Sequence, residues 1–180
     1  MKQITIEIPE GKEAKWINGV LTLVSKKPKN VTERIKTFDD AMEALGQGNH
    51  LVEEYIAVRD KLRTDAGELI AYLKLRIIVA ALNEDWEPKF EKGEYRYYPW
   101  FYFYTQDEYD KLDDEQKRCC VLRSGYSSSY SSCGFVQCYA NVDASYSVVS
   151  NGSRLAFRTR ELAEYAGKQF TEEWADFVFK

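Results

Sequence analysis

Apolar and polar positions alternate at the start of the chain: Ile4, Ile6 and Ile8 are interleaved with Thr5 and Glu7. That is the period-2 pattern of a half-buried strand. Pro9-Glu10-Gly11 breaks it, and Gly19-Val20-Leu21-Thr22-Leu23-Val24 reads as a second strand. The pattern predicts an antiparallel hairpin within residues 1–25, with a long charged connection. Lys26-Lys27-Pro28-Lys29-Asn30 is polar and proline-broken, hence a linker.

The period then changes to that of helices, and three are predicted over 37–83. Thr37 with Asp40 forms a capping pair, and Phe38, Ala41, Met42 and Leu45 share a face until Gly46 and Gly48. Asn49 caps the next helix, on which Leu51, Tyr55, Val58 and Leu62 recur. In the third, Asp65 and Glu68 resemble a capping box, and Leu69, Leu73, Ile77 and Ala81 repeat at i+4 as far as Asn83. Ile70, Ile78, Val79 and Leu82 widen that stripe, which predicts a central helix packed on more than one side.

From Trp86 onward the character is β. Residues 95–104 hold 8 aromatics in 10 positions, and rings favour a pleated surface. A strand is predicted from about Trp100 to Thr105, with others near Cys119–Arg123, Phe135–Ala140 and Arg154–Arg158. The antiparallel region thus runs over 95–158, interrupted by a charged helical excursion at 107–117. Leu162, Ala166, Phe170, Trp174 and Phe177 hold one face of a closing helix over 159–179. It is read as one bent helix, with Gly167 as its weak point and Thr171 as the place where a second could begin. The expected fold is α+β in a single domain: an amino-terminal hairpin, a helical middle and an antiparallel sheet with a carboxy-terminal helix.

Composition agrees with that size: 180 residues carry a net charge of −4, with 25 Lys+Arg against 29 Asp+Glu. The charge is uneven, at +4 over residues 1–36, −8 over 37–118 and 0 over 119–180. The acidic middle reads as solvated helix faces. A mildly acidic chain is not expected to bind nucleic acid. The longest strongly apolar run, Ile77–Leu82, is far below the ~20 residues of a membrane span. Without an apolar segment after Lys2 the amino terminus is not a secretory signal, so a cytoplasmic product with reduced cysteines is expected, with virion association as a further expectation.

One segment changes the picture. Residues 124–153 hold ten of the 11 serines and 4 tyrosines, with Asp143 as the only charged side chain in 30 positions. Tyr supplies wide amphipathic contact, and Ser, Gly and Asn supply adaptable hydrogen bonds, as in antibody-like paratopes. This marks Tyr126, Tyr130, Tyr139, Asn141, Asp143 and Tyr146 as a candidate recognition surface. A pair of strands with serine-rich turns and a flexible linker are the alternatives, and Phe135, Val136, Tyr139, Val148 and Val149 argue for partial burial.

Catalytic chemistry has little to work with. Cys119-Cys120, Cys133 and Cys138 lack the paired short knuckles of a zinc site and read as small buried thiols. His50 is the one imidazole and stands at a predicted helix start. Asp39-Asp40, Glu53-Glu54 and Asp113-Asp114-Glu115 could supply acid and base carboxylates, but neighbours on a helix diverge. No phosphate-binding loop, nucleophile elbow or zinc-protease motif occurs. No catalytic residue, metal or cofactor is therefore assigned. The aromatic run 95–104 could serve as a stacking platform for sugars or bases, although alternation sends half of its rings into the core. Arg154, Arg158, Arg160 and Lys168 form a basic cluster offset by Glu161, Glu164, Glu172 and Glu173.

Two stretches carry a resemblance. Ile6-Glu7-Ile8-Pro9-Glu10-Gly11, and the long string from Gly152 to Phe170 (GSRLAFRTRELAEYAGKQF), resemble the two ends of small uncharacterised proteins of gut Bacteroidales, their prophages and other mobile elements. The resemblance implies a phage-related context and no chemistry. In that setting the 124–153 palette is also similar to what diversity-generating retroelements produce from Asn codons, although such targets end soon after the variable stretch and here 27 residues follow Ser153. The expectation is a non-enzymatic binding or structural protein with a protein or glycan partner. The alternatives are an enzyme using dispersed carboxylates and a regulator or inhibitor of a host protein.

Overall fold

The computed structural model describes residues 6–17, 19–26, 28–61, 67–84, 86–89, 91, 93–118, 120–123, 133–144 and 154–179. At 106, 118, 122–123 and 133–144 it describes the backbone alone. The chain divides into two compact units, Met1–Arg34 and Ile35–Lys180.

The first unit is built on an antiparallel hairpin, β1 (Lys12–Ile17) with β2 (Val20–Ser25). Of the Ile4–Ile8 segment that alternation suggested as the first strand, Ile4 and Thr5 lie outside the described residues and Ile6–Ile8 are not part of this hairpin. Residues 6–9 form no regular element, and Lys12 donates its amide to Pro9 O at 3.1 Å in a turn that precedes β1. Ile17 pairs with Val20, so the connection is two residues long, and its Gly19 has φ +80. A side chain there would be strained, and Asn-Gly is a strong short-range hairpin signal that outweighs a nearby alternating run. The two faces differ in chemistry. Glu13 and Lys15 pair at 2.9 Å on one, while Trp16 stands opposite Leu21 and Ala14 opposite Leu23 on the other. The linker also ends in a helical turn that the pattern had not marked, α1 (Val31–Arg34). Asn30 Oδ1 starts it by accepting the Thr32 amide at 3.1 Å.

In the second unit the three expected helices form: α2 (Phe38–Leu45), α3 (His50–Lys61) and α4 (Gly67–Asn83). Thr37 caps α2 as expected. Its hydroxyl accepts the Asp40 amide at 3.1 Å, and the Asp40 carboxylate accepts the Lys36 and Thr37 amides at 3.0 and 2.9 Å. Those backbone hydrogen bonds, Lys36 first, hold the Asp40 carboxyl below the usual aspartate range. Asn49 does the same work for α3, accepting the Leu51 amide at 2.9 Å. We expect Thr37→Ala to lower the unfolding free energy by about 1 kcal/mol in urea titration. The Asp40 contribution has the sign of a depressed acid: it is present above the ordinary aspartate range and lost as pH falls through the folded value.

Helix α4 is the centre of this unit. Leu75, Ile77, Ile78 and Leu82 are wholly buried, each contributing about 1.5–3 kcal/mol of transfer free energy. It packs against α2 and α3, and against two carboxy-terminal helices, α7 (Arg160–Gln169) and α8 (Thr171–Phe179). These two replace the single bent helix. The break falls at Phe170 (φ −116, ψ 35) and not at Gly167, and the Thr171 hydroxyl bonds back to Gly167 O at 2.7 Å. Phe170 and Trp174, on either side of the break, are both buried.

A three-stranded antiparallel sheet completes the unit, in the order β3 (Tyr95–Tyr104), β5 (Cys133–Ala144), β4 (Val121–Arg123). Between β3 and β4 the charged excursion forms two short helices, α5 (Gln106–Asp110) and α6 (Asp114–Arg118), not one. Thr105 with Glu108 and Asp113 with Gln116 cap them separately. The fourth predicted strand, Arg154–Arg158, reduces to one bridge between Tyr97 and Phe157. β3 begins five residues earlier than its aromatics suggested and runs through Pro99. Tyr97 exchanges both backbone hydrogen bonds with Phe157, at 3.0 and 2.7 Å, so the odd-numbered amides of β3 point to that edge. The N–H missing at Pro99 therefore belongs to the outer edge, and no bond to β5 is lost.

Candidate functional site

Which rings of β3 face the core follows from their partners. Phe101 packs on Trp174 at 5.5 Å between ring centroids, Phe103 on Phe179 at 5.5 Å, and the Arg160 guanidinium lies 5.9 Å from the Tyr97 ring centre. The odd-numbered positions thus face α7 and α8. Because side chains alternate along a strand, Arg96, Tyr98, Trp100, Tyr102 and Tyr104 occupy the opposite face. On it Trp100 and Tyr102 are 37% and 38% exposed, Tyr98 and Tyr104 are half-buried, and Arg96 at the end of the row is buried; on the side of α7 and α8, Phe103 is 39% exposed and Tyr95, at the start of the strand, 61%.

The row is held in place locally. Tyr102 and Tyr104 pack with their rings tilted at 54°, 4.7 Å between centroids. The Tyr102 hydroxyl donates to Glu108 Oε1 at 3.4 Å, while Glu108 also accepts the Thr105 amide and hydroxyl at 2.9 and 3.0 Å. Hydrogen bonds from the Thr105 backbone, then from its hydroxyl, keep the Glu108 carboxyl below its ordinary range. The same capping box that starts α5 therefore orients one exposed ring.

Register brings half of the predicted recognition residues to this row. Asp143, Asn141 and Tyr139 stand opposite Arg96, Tyr98 and Trp100 on the neighbouring strand. Between Trp100 and Phe101 the register shifts, leaving Cys138 as an extra residue of β5, after which Val136 and Gly134 oppose Tyr102 and Tyr104. Such a bulge increases local twist. Tyr126, Tyr130 and Tyr146 lie outside the described residues, so the structure neither joins them to this surface nor separates them from it. Alternation within the aromatic run was the signal for Trp100 and Tyr102, the exposed residues that the Ser/Tyr composition did not point to.

The other candidates do not converge. His50 is the exposed first residue of α3. Asp39, Glu53, Glu54, Asp113, Asp114 and Glu115 are all exposed, and the only buried polar or charged side chains among the described residues are Asn83 and Arg96. Cys120 is a half-buried thiol that donates to Gln116 O at 3.4 Å. Among the described residues no group of three or more His, Cys, Asp or Glu is placed to hold a metal, and no helix is long and apolar enough to cross a membrane. The chain matches no family model, no curated protein and no solved structure.

Proposed function

We propose that the chain is a non-enzymatic binding protein, of phage or prophage origin as the resemblance of its two ends implies. Its recognition surface is the outer face of the three-stranded sheet together with the Ser/Tyr-rich segment 124–153. The observation that supports this reading is the exposure of Trp100 and Tyr102 on the face turned away from α7 and α8, beside the register positions of Tyr139 and Asn141. Tyr and Trp are favoured where a surface must bind, since each offers a large rigid contact and a polar tip at little entropic cost.

The test is saturable retention of the full chain on envelope and cytosolic fractions of a gut Bacteroidales strain. Trp100→Ala/Tyr102→Ala should lower retention at least tenfold, as should joint replacement of Tyr126, Tyr130, Tyr139 and Tyr146 by Ala. The unfolding free energy of the double variant, from urea titration, should change by no more than surface substitutions usually cause, about 0.5 kcal/mol each. No saturable retention on either fraction, or equal retention by both variants, rejects the reading.

A further inference from the structure

Resting on that reading, we propose that the sheet face takes a neutral glycan chain lying along β3. Three features of the row support this class. First, it is long: alternate strand positions are ~6.6 Å apart, so Tyr98 to Tyr104 spans roughly 20 Å, enough for several units of an extended polymer. Second, every β3 side chain from Tyr98 to Tyr104 on this face is a flat ring with a hydroxyl or N–H at its tip. A pyranose ring offers the complement, with C–H faces that pack on aromatic faces and hydroxyls that reach their polar edges.

Third, the row is neutral. Its charges are few: Arg96 is buried at one end, and the Glu108 carboxylate accepts the Tyr102 hydroxyl near the other. A nucleic acid would call for several accessible Lys or Arg along the row to neutralise phosphates, and an anionic polysaccharide for cations of the same kind. The neighbouring sequence has the same character, since Asp143 is the only charge in residues 124–153. Uncharged, hydroxyl-rich ligand and uncharged, ring-rich surface match in both polarity and length.

The experiment titrates the full chain with neutral hexasaccharides of glucose, mannose, galactose and xylose, and with polygalacturonate as the anionic counterpart, by calorimetry. We expect saturable binding to at least one neutral hexasaccharide, unchanged by raising salt several-fold past the point where the Debye length falls below ~5 Å. Trp100→Ala and Tyr102→Ala should each weaken that binding at least tenfold, while Trp100→Phe retains most of it. Binding to polygalacturonate alone, or to no sugar, overturns the glycan assignment. If envelope retention still depends on Trp100 and Tyr102 but is destroyed by protease and not competed by the hexasaccharides, the ligand is a protein and the sheet face stands without the glycan. Hexasaccharide binding that survives both Ala substitutions overturns the sheet face itself.

Discussion

Phe157→Ala should lower the unfolding free energy by about 3–5 kcal/mol, the largest single-residue loss expected in this chain. The ring is fully buried, and its backbone carries both hydrogen bonds of the bridge to Tyr97. Truncation removes the transfer free energy of a benzyl group and opens a cavity between the sheet and the helices, which a close-packed core cannot fill without moving. With a domain stability of about 5–15 kcal/mol, the loss is a sizeable share of the whole. Urea unfolding followed by tryptophan fluorescence measures it, since Trp174 lies in the same core. Phe157→Leu, which keeps most of the volume, should cost less than half as much. A change below about 1 kcal/mol for the Ala variant would mean that the ring is not the packing element described.

The second large effect is expected at Asn83, the last residue of α4. Its side chain is buried, its Nδ2 donates to Ala156 O at 2.8 Å, and its Oδ1 accepts the Arg158 amide at 3.1 Å. The helix is thereby tied to the segment that carries Phe157. The next residue, Glu84, leaves the helix at φ +56, and its carboxylate pairs with the Arg158 guanidinium at 2.8 Å. Asn83→Leu keeps the size and removes both bonds, leaving a carbonyl and an amide without partners. At about 1–3 kcal/mol for each unsatisfied buried group, with the Arg158 amide only partly buried and so at the low end, a loss of about 2–4 kcal/mol is expected in the same urea titration. Asn83→Asp retains the acceptor and sets a carboxylate oxygen against the Ala156 carbonyl. Burial and that repulsion raise the introduced carboxyl, so its deficit should narrow as pH falls and the group becomes a donor again. An Asp variant with no pH-dependent recovery would contradict the assigned hydrogen bonds.

Neither residue was legible as special beforehand. Asn83 reads as the end of a helical stripe and Phe157 as one apolar position in a short β-like run. Their importance arises from a contact between segments some 73 residues apart, which no local pattern encodes. The same holds for the aromatic run. Composition marked the aromatic run as β and predicted a strand only from about Trp100, but which rings face the helices depended on α8 supplying Trp174 and Phe179 to one face. The misplaced first strand has the opposite origin. The information was local, in Asn18-Gly19, and turn geometry prevailed over a short alternating stretch.

By itself the sequence determined the elements that depend on neighbours in the chain. These are the helices α2 to α4, with Thr37 and Asn49 capping the first two while the Asp65 expected to cap the third lies outside the described residues, the wide apolar stripe that makes α4 central, and the aromatic β character after Trp86. It also determined the near absence of charge between Ser124 and Ser153. Tertiary structure alone decided the division at Phe170, the reduction of Arg154–Arg158 to a single bridge, and the register that sets Tyr139, Asn141 and Asp143 beside Trp100, Tyr98 and Arg96. The reason is physical: caps and periodicity act over a few residues, whereas strand register and the choice of buried face are settled by whatever packs across from them.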